Sequence, residues 1–444
     1  MEAKNLIREY LPEGYDTFDD YYSDNYPADA AEFLSELPEN VLIELVEDFN
    51  YEILSQIIIF FEEELQKKIA EKMSVLKTAQ VLSAMYSDDA ADFLSILSVG
   101  KVKKVLKLMK ENDALKLKEL LHYDDESAGG RMTTEFIAFY ADNTAQSVLN
   151  KIRKIITEPE MIYYIYVISR KKELVGVLSV RQLLTAQPDT KLKDIMNKRA
   201  IKVNIAADQE EAARIISKYD LLAVPVVNDH NQLLGIITVD DIIDILEEET
   251  TEDLFKISGA TNAYDIRGNF MEAVKKRIPW LFILLIGDLL SGTVIHRFEA
   301  SLESIVALAI FIPVLMDMGG NVGTQSLTVV VRGLATEELD FSHFIKHLFS
   351  ELKAGLVMGV IISFSLFIIT FLWHQNFALS SVVAFSMLIT MITAVTAGTS
   401  IPFFVDYFGA DPAVAAGPFI TTLIDISGLF IYFTIASLLM EKLL

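Results

Sequence analysis

The pattern of apolar and polar positions divides the chain into a mixed first part and an apolar second part. Up to about residue 277, apolar residues recur at helical spacing or alternate as in strands, with charged residues between them. From residue 278 onward, apolar runs long enough to cross a bilayer dominate. Five spans are predicted, at 278–298, 303–331, 352–373, 379–405 and 412–440. The pattern indicates a multidomain chain that ends in an α-helical membrane domain at 278–444.

Residues 1–127 form the first predicted domain, an all-α domain with an internal repeat. Residues 26–37 recur at 86–97, and repeats of this kind stack helix pairs into a superhelix. Each copy is predicted to begin with a capping residue, in the second copy at Ser87 or Asp88. Asp88 and Asp92 are four positions apart, so their carboxylates share one helix face. The alternative is that Asp88 caps the helix and Asp92 is solvated.

Residues 128–250 contain two similar α/β segments. Residues 174–184 match 233–243, and each copy is taken to open with a methionine segment, at 131–134 and at 194–197. Together they resemble a tandem pair of CBS domains, which often hold a nucleotide. The resemblance implies a ribose contact at Thr238 and Asp241, whereas Gln182 replaces the aspartate in the first copy. An ATP site is therefore implied in weakened form.

The acidic stretch after the second copy is predicted to be one helix or two that run toward the membrane, leading into a connector at 251–277. Carboxylates at helical neighbour spacing repel one another. They are tolerated on a solvated face, or they hold a divalent cation if a second acidic surface faces them. Carboxylate oxygens favour Mg²⁺ or Ca²⁺ over softer metals. The acidic neighbours are Asp241 with Asp244, and Glu249 with Glu252 and Asp253.

Charge and composition limit the possible binding partners and the membrane topology. The chain has 62 acidic and 38 basic residues and a net charge of −24, which argues against a nucleic-acid partner. Residues 1–14 do not resemble a signal peptide, and the basic residues 275–277 precede the first span. By the positive-inside rule we expect a cytosolic first part. Five crossings then put the 332–351 and 406–411 loops inside and Leu444 outside. There are no cysteines, which excludes disulfides.

A carboxylate lies deep in the last span. Asp425 is about twelve residues into it, or about 18 Å along a helix, and no Lys, Arg or His lies between Ala413 and Met440. A charge at that depth costs several kcal/mol unless a cation or water meets it. Asp288 and Asp317 are similarly deep. The pattern predicts a cation path at Asp425, and protonated carboxyls are the alternative.

The second span is too long for a straight crossing and contains helix breakers near Pro313.

The membrane domain contains two long and unusual motifs. They are Pro313-Val314-Leu315 with Gly319-Gly320-Asn321-x-Gly323-x-Gln325, and Asp411-Pro412 followed by Gly417-Pro418-Phe419-Ile420-Thr421-Thr422-x-x-Asp425-x-x-Gly428. With these motifs and this order of domains, the chain resembles the MgtE family of magnesium channels over its whole length. The resemblance implies a homodimer with a pore on its two-fold axis, where Asp425 from each chain faces a hydrated ion. It also implies that Asn321, Thr421 and Gly417 lie along the path.

The family resemblance further implies a channel that cytosolic Mg²⁺ closes, with ions bridging the helical domain, the CBS pair and the connector, or plug, helix. Mn²⁺ and Ca²⁺ are alternative occupants of these regulatory sites. The implied groups are Asp88, Asp92, Asp220, Asp241, Asp244, Glu249, Glu252, Asp253 and Asp411. We expect a multi-pass protein of the cell (inner) membrane with no enzymatic activity. The competing hypotheses are an ion-coupled secondary transporter of Mg²⁺, Mn²⁺ or Co²⁺ and a membrane sensor that transports nothing.

Overall fold

The chain folds as two compact units, Met1–Glu247 and Glu248–Leu444. The computed structural model describes residues 7–8, 10–154, 163–259, 270–299, 306–336, 338–415 and 417–439. Each unit contains its own buried apolar clusters, as the alternation of apolar and polar residues requires.

In the first part of unit one, up to about residue 127, the described residues form helices joined by turns, which confirms the all-α prediction. Apolar residues at helical spacing, such as Leu34, Leu54, Ile69 and Leu94, are fully buried in one core. The helices are α1 Phe18–Asp24, α2 Pro27–Ser35, α3 Glu39–Val46, α4 Tyr51–Ile57, α5 Glu63–Lys72, α6 Val75–Leu82, α7 Ser87–Ser95, α8 Val99–Leu108 and α9 Glu111–Leu120, with a 3₁₀ turn at Ile58–Phe60.

The sequence repeat appears as two equivalent helices, α2 and α7, but the predicted caps are wrong. The N-cap residues are Tyr26 and Tyr86, and neither side chain makes a capping hydrogen bond. In α7 a distant carboxylate takes over this role. The backbone N–H and the Oγ of Ser87 both donate to Glu135 Oε2, at 3.1 and 2.6 Å. A side chain from another segment therefore satisfies the helix start.

The α/β part of unit one contains two three-stranded sheets of identical topology, ordered β1-β2-β3 and β4-β5-β6. In each sheet the first pair is parallel and the second pair is antiparallel. This repetition confirms the tandem modules. The strands are β1 Ala138–Tyr140, β2 Tyr164–Ile168, β3 Leu174–Ser179, β4 Val203–Asn204, β5 Ala223–Val227 and β6 Leu233–Thr238, and the helices are α10 Ala145–Ile152, α11 Val180–Thr185, α12 Leu192–Ile195 and α13 Gln209–Tyr219.

The methionine segments do not open the copies to which the sequence assigned them. Thr133 pairs with Ile236 of the second sheet, and Asn197 pairs with Val177 of the first. Glycine on a strand leaves room for a methionine segment to pack closely. A Cβ on Gly235 would lie 2.6 Å from the Met132 sulfur. The first methionine segment therefore packs on the second sheet, and the second methionine segment packs on the first sheet. This exchange holds the two modules together.

The acidic stretch is one continuous helix, α14, Val239–Ile257. It runs from the last strand of unit one into unit two and passes through the predicted boundary between residues 250 and 251. Residues 260–269 of the predicted connector lie outside the described residues. The next helix, α15, spans Phe270–Arg297.

Among the described residues of unit two, five helices are long and apolar enough to cross a membrane, as predicted. They are α15, α16 Ala307–Ala335, α17 Phe344–His374, α18 Phe377–Tyr407 and α19 Gly417–Leu438, with 3₁₀ turns at Phe341–His343 and Pro412–Ala415. The predicted loop at 332–351 is too long, because Arg332 lies in the last turn of α16 and residues from Phe344 onward belong to α17. The predicted start of span two, residue 303, lies outside the described residues.

The second span, α16, is unbroken although it contains Pro313 and a glycine pair. The glycines allow close helix packing instead of ending the helix. A Cβ on Gly398 of α18 would lie 2.3 Å from the carbonyl oxygen of Gly323. A Cβ on Gly323 would itself lie 2.1 Å from Ile424 of α19. The glycine-rich motif thus brings α16 against α18 and α19.

Candidate ion path and regulatory carboxylates

The three membrane carboxylates lie on three different helices of unit two and come close together. Asp288 is on α15, Asp317 on α16 and Asp425 on α19. The charges of Asp288 and Asp317 both act on the half-buried carboxylate of Asp425. Like charges at this proximity raise the energy of the empty arrangement, and a cation between them lowers it. The structure therefore gives the first two carboxylates, whose roles the sequence left open, a shared location.

Polar groups of α16 and α19 surround this location. The Asn321 Nδ2 donates to Asp317 Oδ2 at 3.2 Å, one helical turn away. The hydroxyls of Thr421 and Thr422 both donate to the carbonyl oxygen of Pro418 at 2.9 Å. Their oxygens retain acceptor capacity. Hydrogen-bond acceptors on both helices suit an ion that keeps its water shell.

Gly417 has a packing role at the start of α19. It is buried, and a Cβ there would lie 3.0 Å from the carbonyl oxygen of Ile257, the last residue of α14. The glycine permits this approach between the connector helix and the last span. The residue that the resemblance placed in the path therefore forms the seat for the end of α14.

In unit one, carboxylates of α7 and α14 face one another. Burial, followed by the charges of Asp241, Asp92 and Asp240, raises the pKa of Asp89 to about 7. Burial also raises the pKa of Asp241, although the hydrogen bonds from Thr238 oppose it. Deprotonating the whole cluster is therefore unfavourable without a cation. We call Asp89, Asp92, Asp240 and Asp241 the interdomain carboxylates.

Asp89, which lies beside the predicted ligand Asp88, also belongs to this acidic group. Asp88 is buried with 7% exposure, whereas Asp92 is exposed. The internal repeat contained a signal for this. Asp88 aligns with Ala28, while Asp89 aligns with Asp29, so the acidic position common to both copies is Asp89. Helical spacing alone could not show that Asp89 faces the second module.

Thr238 and Asp241 contact each other directly. The Thr238 Oγ1 donates to Asp241 Oδ2 at 2.7 Å, and its backbone N–H donates to the same oxygen at 3.2 Å. The corresponding pair in the first copy, Ser179 and Gln182, forms a capping box. The spacing that resembles a ribose contact therefore also serves to start a helix.

Asp244 and Asp220 lie at the edge of this arrangement. Burial, together with the charges of Glu247 and Asp240, raises the pKa of the exposed Asp244. Asp220 is an exposed C-cap of α13 with a left-handed backbone, φ 50°. Within the described ranges, no three His, Asp or Glu side chains converge as a ready-made metal centre. Mg²⁺ is commonly held by one or two carboxylates and its own waters, so pairs of these residues suffice as candidate ligands.

A second acidic group lies in unit two, where the end of α14 meets the loop before α19. Lys256 Nζ is 2.8 Å from Glu252 Oε1 and 2.7 Å from Asp411 Oδ2. Burial, and then the charge of Asp411, raises the pKa of Asp253. Glu249 is half-buried one turn earlier on the same helix. Lys256, the single basic residue of α14, is not among the predicted site residues, because its partner Asp411 is distant in sequence.

Family models match three parts of the chain. The model described as a divalent cation transporter, MgtE, matches residues 312–435, and the MgtE intracellular N domain matches residues 25–126. The CBS domain matches residues 192–248. The order of these matches is the order predicted from the residues.

Curated relatives cover nearly the full chain. "Magnesium transporter MgtE" of Bacillus subtilis is 36% identical over 94% of this chain and 92% of the relative. The protein of the same name from Enterococcus faecalis is 41% identical over 74% of this chain and 72% of the relative. The one from Thermus thermophilus is 36% identical over 82% of this chain and 79% of the relative.

Two solved structures resemble the first part of the chain. The crystal structure of the soluble part of a magnesium transporter is 35% identical, with a TM-score of 0.50, and covers 56% of this chain and 98% of that one. The cytosolic domain of the Mg²⁺ channel MgtE in complex with ATP is 29% identical, with a TM-score of 0.50, and covers 55% of this chain and 99% of that one.

Proposed function

Since the chain belongs to the MgtE family of magnesium transporters, we propose that it conducts Mg²⁺ across the cell membrane through a path lined by Asp425. The observation that carries this proposal is the approach of Asp288, Asp317 and Asp425 on three membrane helices. Carboxylates are the ligands that Mg²⁺ prefers, and at membrane depth they require a cation or water. The protein acts as a transporter and not as an enzyme.

The path conducts the ion with most of its water. Mg²⁺ dehydrates reluctantly, so carboxylates that accept hydrogen bonds from its water shell fit it better than a tight cage. In a homodimer, two Asp425 side chains supply a charge of about −2, which balances one divalent ion. Asn321 and Thr421 contribute further acceptors beside them. Asp288 and Asp317 attract cations into the same region.

Cytosolic Mg²⁺ closes the path by binding between acidic surfaces. The interdomain carboxylates repel one another, and burial together with this repulsion raises the pKa of Asp89. An ion bound only in the closed arrangement stabilises it by about 2.7 kcal/mol at one hundred times its dissociation constant. Mg²⁺ is the expected occupant, and Mn²⁺ and Ca²⁺ are alternatives. Asp244, Asp220, Glu249, Glu252, Asp253 and Asp411 complete the proposed regulatory set.

The CBS pair is a candidate for ATP. The relative whose cytosolic domain was solved in complex with ATP supports this assignment. Thr238 and Asp241 are the proposed ribose contacts. Because Asp241 also belongs to the interdomain carboxylates, ATP and Mg²⁺ would compete for or share one side chain. The topology proposed with these roles puts both CBS modules in the cytosol and the C-terminus outside the inner membrane.

The test of the proposed function is Mg²⁺ uptake into vesicles that contain the purified full chain. Asp425→Asn keeps the size of the side chain and removes its charge, and we expect Mg²⁺ uptake to fall at least tenfold, about 1.4 kcal/mol in barrier height. Glu338→Gln, an exposed carboxylate outside the path, is the matched control and should leave uptake unchanged.

Two outcomes contradict the proposal. Unchanged uptake in Asp425→Asn removes this residue from the path. Uptake by the unaltered chain that requires an imposed pH gradient favours an ion-coupled secondary transporter instead of a channel.

A further inference from the structure

Lys256 links the end of α14 to the loop that precedes the last membrane helix. Its ammonium lies 2.8 Å from Glu252 and 2.7 Å from Asp411, so one cation joins two carboxylates. The three side chains are only 23–37% exposed. An ion pair sheltered to this extent is screened less than a surface pair. All three residues belong to unit two.

Asp411 transmits this link to α19. Its Oδ2 accepts from Lys256, and its Oδ1 accepts from the backbone N–H of Ala413 at 2.8 Å. Ala413 belongs to the 3₁₀ turn Pro412–Ala415 that leads directly into α19. One carboxylate therefore contacts Lys256 on one side and, on the other, the turn that precedes the helix carrying Asp425.

Close backbone packing also holds the end of α14 against the start of α19. Gly259 has φ +68°, and a Cβ there would lie 2.0 Å from the Trp280 Nε1 and 2.9 Å from Pro418. The carbonyl oxygen of Ile257 lies against Gly417. Side-chain and backbone contacts thus converge on the start of α19.

Lys256 offsets part of the negative charge at this contact between α14 and the loop before α19. Glu252, Asp253 and Asp411 bring three carboxylates together. The charges of Asp411 and Glu252 raise the pKa of Asp253, and that of Lys256 lowers it. Burial lowers the pKa of Lys256, but hydrogen bonds to Asp411 and Glu252 outweigh burial and raise it overall. The Lys256 ammonium is therefore the positive charge that joins Glu252 and Asp411.

We propose that Lys256 is a built-in cation that docks the end of α14 on the cytosolic mouth of the ion path and so lowers the amount of Mg²⁺ needed to close it. This inference rests on the proposed function and adds a positioning residue to it. With Lys256 present, Glu252 and Asp411 are already neutralised in part, and Mg²⁺ completes the closure at the remaining carboxylates. Without it, Mg²⁺ must offset more of the repulsion.

The test compares Lys256→Gln and Lys256→Arg in the full chain, with open probability recorded in a planar bilayer. In chelated, Mg²⁺-free solution we expect Lys256→Gln to raise open probability about fivefold or more, the lower end of typical coupling between sites. Millimolar Mg²⁺ on the cytosolic side should restore closure, because the ion replaces the lost charge. Lys256→Arg should behave as the unaltered chain, and so should Lys346→Gln, an exposed lysine of α17.

Two results would overturn the proposal. One is an open probability in Lys256→Gln equal to that of the unaltered chain. The other is a raised open probability that Mg²⁺ does not reverse, which indicates damage to packing. If the unaltered chain itself does not close with Mg²⁺, the proposed gating fails, and the docking is then decided by a second measurement.

The second measurement is maleimide labelling of a Ser258→Cys variant. The label reacts only at this position, because the chain has no other cysteine. Ser258 is exposed and lies just past the end of α14. Docking by Lys256 predicts that Lys256→Gln changes the labelling rate in Mg²⁺-free solution and that Lys256→Arg does not. Equal rates in all three backgrounds contradict the docking role whether or not the variants conduct.

Discussion

Replacing Asp89 by Asn should stabilise the protein in the absence of Mg²⁺. The side chain lies among three other carboxylates, and burial together with their charges raises its pKa from 3.8 to about 7. At about 1.36 kcal/mol for each pKa unit, a rise of this size opposes folding by about 4 kcal/mol once the group is fully ionised. Asn removes the charge at nearly constant volume, so this opposition disappears.

The pH dependence has a definite sign. Because the pKa of Asp89 is raised in the folded state, the stability linked to its proton is present below about pH 4 and is lost as the pH rises to about 7. The gain from Asp89→Asn should therefore be about 1 kcal/mol at pH 4.5, about 3 kcal/mol at pH 6 and about 4 kcal/mol at pH 8. Millimolar Mg²⁺ should reduce the gain, because the ion neutralises the same charge in the unaltered chain.

The assay is thermal unfolding of the purified full chain, followed by circular dichroism in chelator and in Mg²⁺. The matched control is Asp29→Asn, which changes the equivalent position of the first repeat, where the side chain is exposed. We expect the control to leave the unfolding temperature unchanged. An equal gain in both variants, or a gain for Asp89→Asn that does not vary between about pH 4.5 and 8, would refute the reasoning.

Two further predictions concern packing and hydrogen bonding. Glu135 accepts from Ser87, Thr133, Thr134 and Lys116, so Glu135→Gln should lower stability by about 1–3 kcal/mol, with exposed Glu126→Gln as the control. Burial raises the pKa of Glu135, but these hydrogen bonds outweigh it and lower the pKa overall. The stabilisation is thus present above about pH 4.5 and lost on acidification, and a loss that is constant across acidic and neutral pH would contradict this account. Gly398→Ala places a Cβ 2.3 Å from the Gly323 carbonyl oxygen and should destabilise the membrane helices by about 1–3 kcal/mol, measured by yield and thermal unfolding in detergent. Gly292→Ala, with nothing within 4 Å, is its control, and equal behaviour of the two would count against the close approach of α16 and α18.

The fold was largely predictable because its signals are periodic and long. Helical spacing predicted the first domain, and duplication of the segment at 174–184 predicted the paired modules. The length of the apolar runs predicted five membrane spans. The predictions that were wrong concern residues whose partners are distant in sequence. The start of α7 is satisfied by Glu135 instead of a local cap, and Met132 serves the sheet of the other module.

The candidate site was predictable in composition but not in detail. Acidic spacing drew attention to α7 and α14 and predicted Asp88 and Asp92, but it left out Asp89, on which the charge of Asp241 acts in the structure. A one-residue difference rotates a helical side chain by about 100°, which tertiary packing alone decides. Lys256 was missed for another reason, since its role depends on Asp411, far away in sequence.

The central claim is that acidic surfaces on the soluble side decide when Asp425 conducts. Single-channel recording, with Mg²⁺ varied only on the cytosolic face at constant driving force, tests it most directly. The account predicts that open probability falls as cytosolic Mg²⁺ rises, and that Asp89→Asn combined with Asp241→Asn flattens this dependence without changing unitary current. An open probability independent of cytosolic Mg²⁺, or an unaltered dependence in the double variant, would contradict it.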